Sequence, residues 1–169
     1  MTAKNPQTTL LAPVTTAAEV LALSEAGADA FYCGALLPNW VDDYGDSDLA
    51  NRRQGRFANV KSADELVAIA AAASAVGGAA YLALNAKYTR PQEAAVLDLA
   101  TNWERWGGGG VVTGDIGVAL AIGRSLPGLQ LTFSLTTPLR NSMAADLAAR
   151  LGATRLALPR CTTRDDVQA

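Results

Sequence analysis

The 169-residue sequence contains no histidine. Ser-His-Asp and Cys-His nucleophile arrangements and the H-E-x-x-H zinc site are therefore excluded together. Cysteine is nearly absent: Cys33 and Cys161 are too few for a disulfide framework, and they cannot hold a tetrahedral zinc or an iron–sulfur cluster without ligands from elsewhere. Lysine occurs only as Lys4, Lys61 and Lys87. Lys87 stands where a Schiff-base lysine would, although a surface lysine in a loop is the plainer reading. A charge excess is missing too: 14 basic against 16 acidic residues leave −2, so no global positive field attracts nucleic acid or anionic lipid, and such a partner would need a local site. The opening MTAKNPQTTL lacks the apolar core of a secretory signal, which makes a reducing cytoplasm the expected location. Leu66 to Ala86 is uncharged and as long as a membrane span, but alanine dominates it, Gly77 and Gly78 interrupt it, and its second half alternates as a strand. No membrane association is expected.

What is present is a recurrence of short apolar runs: Leu10 to Val14, Ala30 to Gly34, Ala79 to Leu84, Val111 to Ile116, Leu129 to Leu135 and Arg155 to Pro159. Each reads as a strand. The segments between them carry helix signals long enough for the crossover that a parallel pair requires. Thr16 with Glu19, and Ser62 with Glu65, predict capping boxes, with Gly27 and Gly77 as terminators. Leu66, Ile69, Ala73 and Val76 predict a buried stripe on the second helix. A third helix is expected from near Thr89 and Pro91 to the glycines at 107–110, a fourth over Gly117 to Leu126, a fifth through Met143, Leu147 and Leu151, and a barely nucleated sixth from Thr162. The four glycines precede a strand and lack the P-loop Lys and Ser/Thr, so they read as a helix stop.

Strand and helix alternate at roughly twenty-five to thirty residues, which predicts a parallel sheet with helices outside. No G-x-G-x-x-G stands at the first strand-to-helix turn, where Ala12-Pro13-Val14-Thr15 occurs instead, so a dinucleotide fold loses its main support. The expected class is α/β, a partial (β/α) TIM-like barrel of about six parallel strands with about five helices, incomplete because closure takes roughly eight units and about 250 residues. A flexible stretch over 1–9 is expected before the barrel part over 10–169. The long connection Ala35 to Lys61 holds Asp42, Asp43, Asp46 and Asp48 without calcium-loop spacing, read as solvated, then Asn51, Arg52, Arg53 and Arg56.

Functional residues of such folds gather where strands end, because those ends converge on one face. The candidates are Cys33 and Gly34, Asn85 and Lys87, Asp115, Ser134 and Thr136, and Pro159, Arg160 and Cys161. Any one of them also suits a turn or cap. Together they predict a polar pocket in which Arg160 and the Arg52-Arg53 pair suit bidentate capture of carboxylate or phosphate.

These residues resemble the U32 peptidase-like family. Leu10-Leu11-Ala12-Pro13, then Ala26-Gly27-Ala28-Asp29-Ala30-Phe31-Tyr32-Cys33-Gly34, is similar to its start; Asn51-Arg52, Phe57-Ala58-Asn59, Leu84-Asn85-Ala86, Asp115, Ser134-Leu135-Thr136, Asn141 and Leu158-Pro159-Arg160 follow in the family's order. Two positions depart from it: Pro13-Val14-Thr15 lacks a glycine, and Cys161 replaces the acidic residue that follows the last arginine. The resemblance implies a TIM-barrel-like domain catalogued as a peptidase, with relatives in oxygen-independent hydroxylation of ubiquinone precursors or of tRNA and rRNA. It implies Asp115 as acid/base participant, and Asn51, Arg52, Asn85, Ser134, Thr136 and Arg160 as substrate-binding residues. No metal or cofactor is expected on this chain, an iron–sulfur cluster being expected only in a full-length parent. The substrate is expected to be a small molecule, a peptide or RNA, and the chain reads as a fragment. The alternatives are a non-catalytic half-barrel that a homo- or hetero-oligomer completes, and a small-molecule (β/α) enzyme such as an aldolase.

Overall fold

The computed structural model describes residues 8–45, 50–137, 139 and 141–168. Of the expected flexible stretch, residues 1–7 lie outside these, as do Asp46 and Asp48 of the acidic cluster; Asp42 and Asp43 are exposed, as a solvated reading requires. Among the described residues, strands β1 (Leu11–Pro13), β2 (Ala30–Gly34), β3 (Ala79–Leu84), β4 (Gly110–Thr113), β5 (Gln130–Phe133) and β6 (Ala153–Leu156) form one parallel sheet in sequential order, open between β1 and β6. Helices α1 (Ala17–Glu25), α2 (Pro38–Tyr44), α3 (Ala63–Ala75), α4 (Arg90–Arg105), α5 (Ile116–Ser125), α6 (Ser142–Arg150) and α7 (Arg164–Gln168) connect the strands or follow the last of them, with a 3-10 turn at Arg56–Ala58.

Seven helices occur among the described residues, against about five expected and a barely nucleated sixth, which is α7. The addition within the sheet's span is α2, inside the long connection: Pro38 opens it with its ring-fixed φ, Gly45 at φ 79° ends it, and Trp40 buries itself against Tyr44 and Tyr88, ring centroids 4.7 and 6.4 Å away. Tertiary burial of one indole stabilises seven residues whose own pattern is not helical.

Of the two predicted capping boxes, Thr16 and Glu19 close theirs reciprocally. Ser62 does only its half, accepting from the Glu65 amide at 3.2 Å. The Glu65 carboxylate turns away instead and accepts from Ala17 N of α1 at 2.7 Å, tying two neighbouring helices. Leu66, Ile69 and Ala73 are buried as predicted, whereas Val76 is 36% exposed because it is the C-cap. Gly77, at φ 73°, and Gly78 then donate to the Ser74 and Ala73 carbonyls at 3.0 and 2.9 Å, a Schellman turn. Ile116, expected in a strand, starts α5, since Asp115 caps the helix there. The sheet's last strand starts two residues earlier than expected, and its pairing with β5 contains a register shift at Leu131/Thr132.

The sheet has two unlike faces. Phe31, Cys33, Leu82, Leu84, Val111, Leu131 and Phe133 alternate onto the helix-covered side and join Val20, Ile69, Val96, Trp103 and Ile122 in one core. Trp103 Nε1 donates to Gly110 O at 2.9 Å, and a Cβ on Gly108 would lie 2.2 Å from the indole, so the glycine run stops a helix and also seats this ring. On the concave side the register places Tyr32 beside Tyr81. There Tyr81 donates to Gln130 Oε1 at 2.8 Å, and Arg155 lies 5.1 Å over the Tyr81 ring.

Candidate functional site at the strand ends

The long connection after β2 folds back over the sheet's C-terminal edge. Val60 pairs with Ala35 through Leu36 N to Val60 O and Val60 N to Gly34 O, both 2.8 Å, which brings residues 51–59 over the end of β2. Asn51 is 2% exposed and entirely engaged: its Nδ2 donates to Ala35 O and Asn59 Oδ1, and its Oδ1 accepts from Arg53 N. Asn59, also buried, donates to the Arg53 and Gly55 carbonyls. A Cβ on Gly34 would sit 2.7 Å from Asn51 Oδ1 and 2.6 Å from Asn59 Oδ1, so glycine there leaves space for this carboxamide pair.

Held in this way, the loop presents Arg52. Its main-chain amide donates to Asn85 Oδ1 at 2.8 Å while the side chain stays exposed. Asn85 Nδ2 in turn donates to Ser134 Oγ at 3.3 Å, and the Asn85 carbonyl accepts from Thr136 Oγ1 at 3.4 Å. Ser134 is 3% exposed. The loop and the ends of β3 and β5 are thus joined through one asparagine.

Asp115 follows β4 and caps α5, its Oδ1 accepting from the Gly117 and Val118 amides at 2.8 and 3.2 Å. Oδ2 has a 3.5 Å contact with Tyr88 N. Lys87 Nζ donates to the Gly114 carbonyl beside it. Arg160 is exposed after β6 at the same end of the sheet; no contact brings it to the Asn85 group. Asn141 caps α6, accepting from Ala144 N.

Two contributors were not singled out from the sequence. Tyr88 donates to Ala50 O at 2.6 Å; burial raises its hydroxyl above the ordinary range, donation from Ala86 N opposes this, and the Asp115 charge adds to it. Arg53, taken only as half of a basic pair, donates through Nε to Ala58 O at 2.7 Å and lies 5.0 Å over the Tyr32 ring, so it builds the loop rather than facing a ligand alone. The signals were present in the aromatic after Lys87 and in the second arginine, but Ala50 beneath Tyr88 and the Tyr32 ring beneath Arg53 are distant in sequence.

An iron–sulfur cluster does not fit these residues. Cys33 is sealed in the core on the helix-facing side, where burial pushes its thiol up to about 12 against the pull of the Arg53 charge, and no cluster of metal-ligating side chains occurs among the described residues. No helix among them is long and apolar enough to cross a membrane.

In fold, the chain is similar to the U32 peptidase Mk0906 (TM-score 0.62, 14% identity, 94% of this chain and 61% of that one). It is also similar to phosphonopyruvate hydrolase (TM-score 0.55, 15% identity, 95% and 55%). It therefore spans about three-fifths of the first structure's length and about half of the second's. No curated protein matches it. The family model for peptidase family U32 matches residues 15–169, nearly the whole chain, and the chain belongs to that family.

Proposed function

We propose that this chain carries the substrate-binding strand ends of a U32 protein of the modification type, acting in oxygen-independent hydroxylation of a quinone precursor or RNA base, rather than a self-sufficient peptidase. The observation behind this reading is the Arg52–Asn85–Ser134 chain of hydrogen bonds, which spends the site's one buried serine hydroxyl on holding loop and strands together. Ser134 Oγ accepts from Asn85 Nδ2 and Thr136 N, and with no histidine in the sequence it lacks the usual activating base. Cys33 is neither accessible nor ionised near neutral pH. Arg52 and Arg160, both exposed, suit an acidic group on the substrate. Asp115 Oδ2, with its single long amide contact, is the oxygen suited to exchanging a proton. An iron–sulfur cluster would draw its thiolates from outside these residues. Casein and collagen cleavage by the purified chain, beside Asp115→Ala, tests the reading. No turnover above the variant is expected, and clear turnover lost in the variant would overturn it.

A second reading is favoured by the α6 surface. Met143 and Leu147, whose spacing marks the fifth expected helix, are 79% and 43% exposed on the helix before the open β6 edge. On this reading the chain is a non-catalytic half-barrel completed by a copy or partner. Light scattering coupled to size exclusion decides it, since a monodisperse monomer counts against it.

A further inference from the structure

The outer helical layer contains a gap of its own. α1 packs closely on α3 and α4 on α5, whereas α3 and α4 touch little, and residues of α2, the first residue of α3 and one side of α4 enclose a space between them. The result is a cleft of about 440 Å³. Its floor is aliphatic, including Leu37 and Leu99, and two indoles, Trp40 and Trp106, form part of its wall. Among the described residues its charged lining consists of two carboxylates, Asp43 from α2 and Asp98 from α4, beside the carboxamides of Asn39 and Asn102, and no cationic side chain lines it. Both carboxylates are exposed, so they sit at the rim, above the apolar interior.

That combination has a definite chemical complement. Aromatic faces and carboxylates attract an organic cation, and the aliphatic floor accepts its stem. An anion would meet two like charges. A bare metal ion would gain nothing from the indoles and leucines. We infer that the α2–α3–α4 cleft is a binding site for a guanidinium or ammonium group carried on an apolar stem, either a free amine or an arginine or lysine side chain of a peptide. The cleft adjoins the strand-end site through Ala35 and Ala50, whose carbonyls accept from Asn51 and Tyr88, but its lining is different, and neither reading depends on the other.

The chain contains its own reporter: Trp40 and Trp106 line the cleft, while Trp103 is sealed in the core with its Nε1 bonded to Gly110 O. Agmatine titrated into the intact chain at low salt is expected to give a saturable change in tryptophan fluorescence, confirmed by calorimetry, while pentanoate and 1-pentanol give none. The Asp43→Asn/Asp98→Asn double variant, changed only at exposed positions and checked for an unaltered circular dichroism spectrum, is expected to bind at least fivefold more weakly. Trp106→Phe should remove most of the signal. A blocked arginine tripeptide is the second probe: tighter binding than agmatine identifies a peptide side chain as the ligand, and weaker binding identifies a free amine. No saturable response to either cation, or an affinity unchanged in the double variant, would overturn the inference.

Discussion

The main-chain amide of Arg52 donates to the side-chain oxygen of Asn85 at 2.8 Å, across 33 residues of sequence. The same side chain reaches Ser134 through its nitrogen, so one carboxamide bridges the long loop, β3 and β5. Asn85→Ala orphans a donor and an acceptor at once and is expected to cost about 1–2 kcal/mol in urea unfolding. Asn85→Asp keeps the acceptor for Arg52, and the Ser134 hydroxyl can rotate to donate, so it should cost less. Arg52→Ala should leave stability within about 0.5 kcal/mol, because its link runs through the backbone.

Gly114 tests the same group from beneath. A Cβ there would lie 2.2 Å from Thr136 Oγ1 and 3.0 Å from the Asn85 carbonyl. Gly114→Ala is expected to destabilise by about 1–3 kcal/mol, as overpacking does, and to shift the amide resonances of Asn85 and Thr136. Unchanged resonances would show that the strand ends are not coupled as described.

The two helix starts make opposite predictions. Thr16 and Glu19 form a closed box, so Thr16→Ala and Glu19→Ala should show a coupling of at least about 0.5 kcal/mol in a double-mutant cycle. Hydrogen bonding, chiefly from the Thr15 amide, holds the Glu19 carboxyl below its ordinary pKa. Its contribution is therefore present at neutral pH and lost as pH falls through the acid range. Ser62→Ala and Glu65→Ala should add without coupling, to within about 0.5 kcal/mol, since Glu65 serves α1.

These cases show what could be read in advance. Strands bounded by glycine and proline were legible, because an apolar run cut by such residues has few other folds; of the polar strand ends, hydrogen bonds join Asn85, Ser134 and Thr136 but not Arg160. α2 was not, since seven residues with two aspartates are stabilised by the burial of Trp40 rather than by their own pattern. The spacing of Met143 and Leu147 correctly indicates a helix but is silent on whether anything covers it. In the site, residue types were legible and pairings were not: which group Asn85 or Glu65 engages depends on the path of a distant loop or helix.

Alkaline pH should expose the state of Cys33. Burial raises its thiol from 9.0 to about 12, so between these values the fold binds a proton that the unfolded chain has released. Its stabilising effect is complete below about 9 and declines as pH rises towards about 12. Urea midpoints measured from pH 8 to 10.5 should fall, with a flatter decline in Cys33→Ala. Iodoacetamide at pH 8 should label Cys161, which is exposed, and reach Cys33 only after denaturation.

The unlike faces of the sheet carry a last consequence. Phe31, Leu82, Val111, Leu131 and Phe133 tie β2, β3, β4 and β5 to the helical layer, whereas the opposite face carries Tyr32, Tyr81, Gln130 and Arg155 beside Ala83 and Val112. On that opposite face Gln130 and Arg155 are exposed while Tyr81 and Thr132 are buried, so a substitution at Tyr81 or Thr132 acts on packing whereas one at Gln130 or Arg155 acts on a surface.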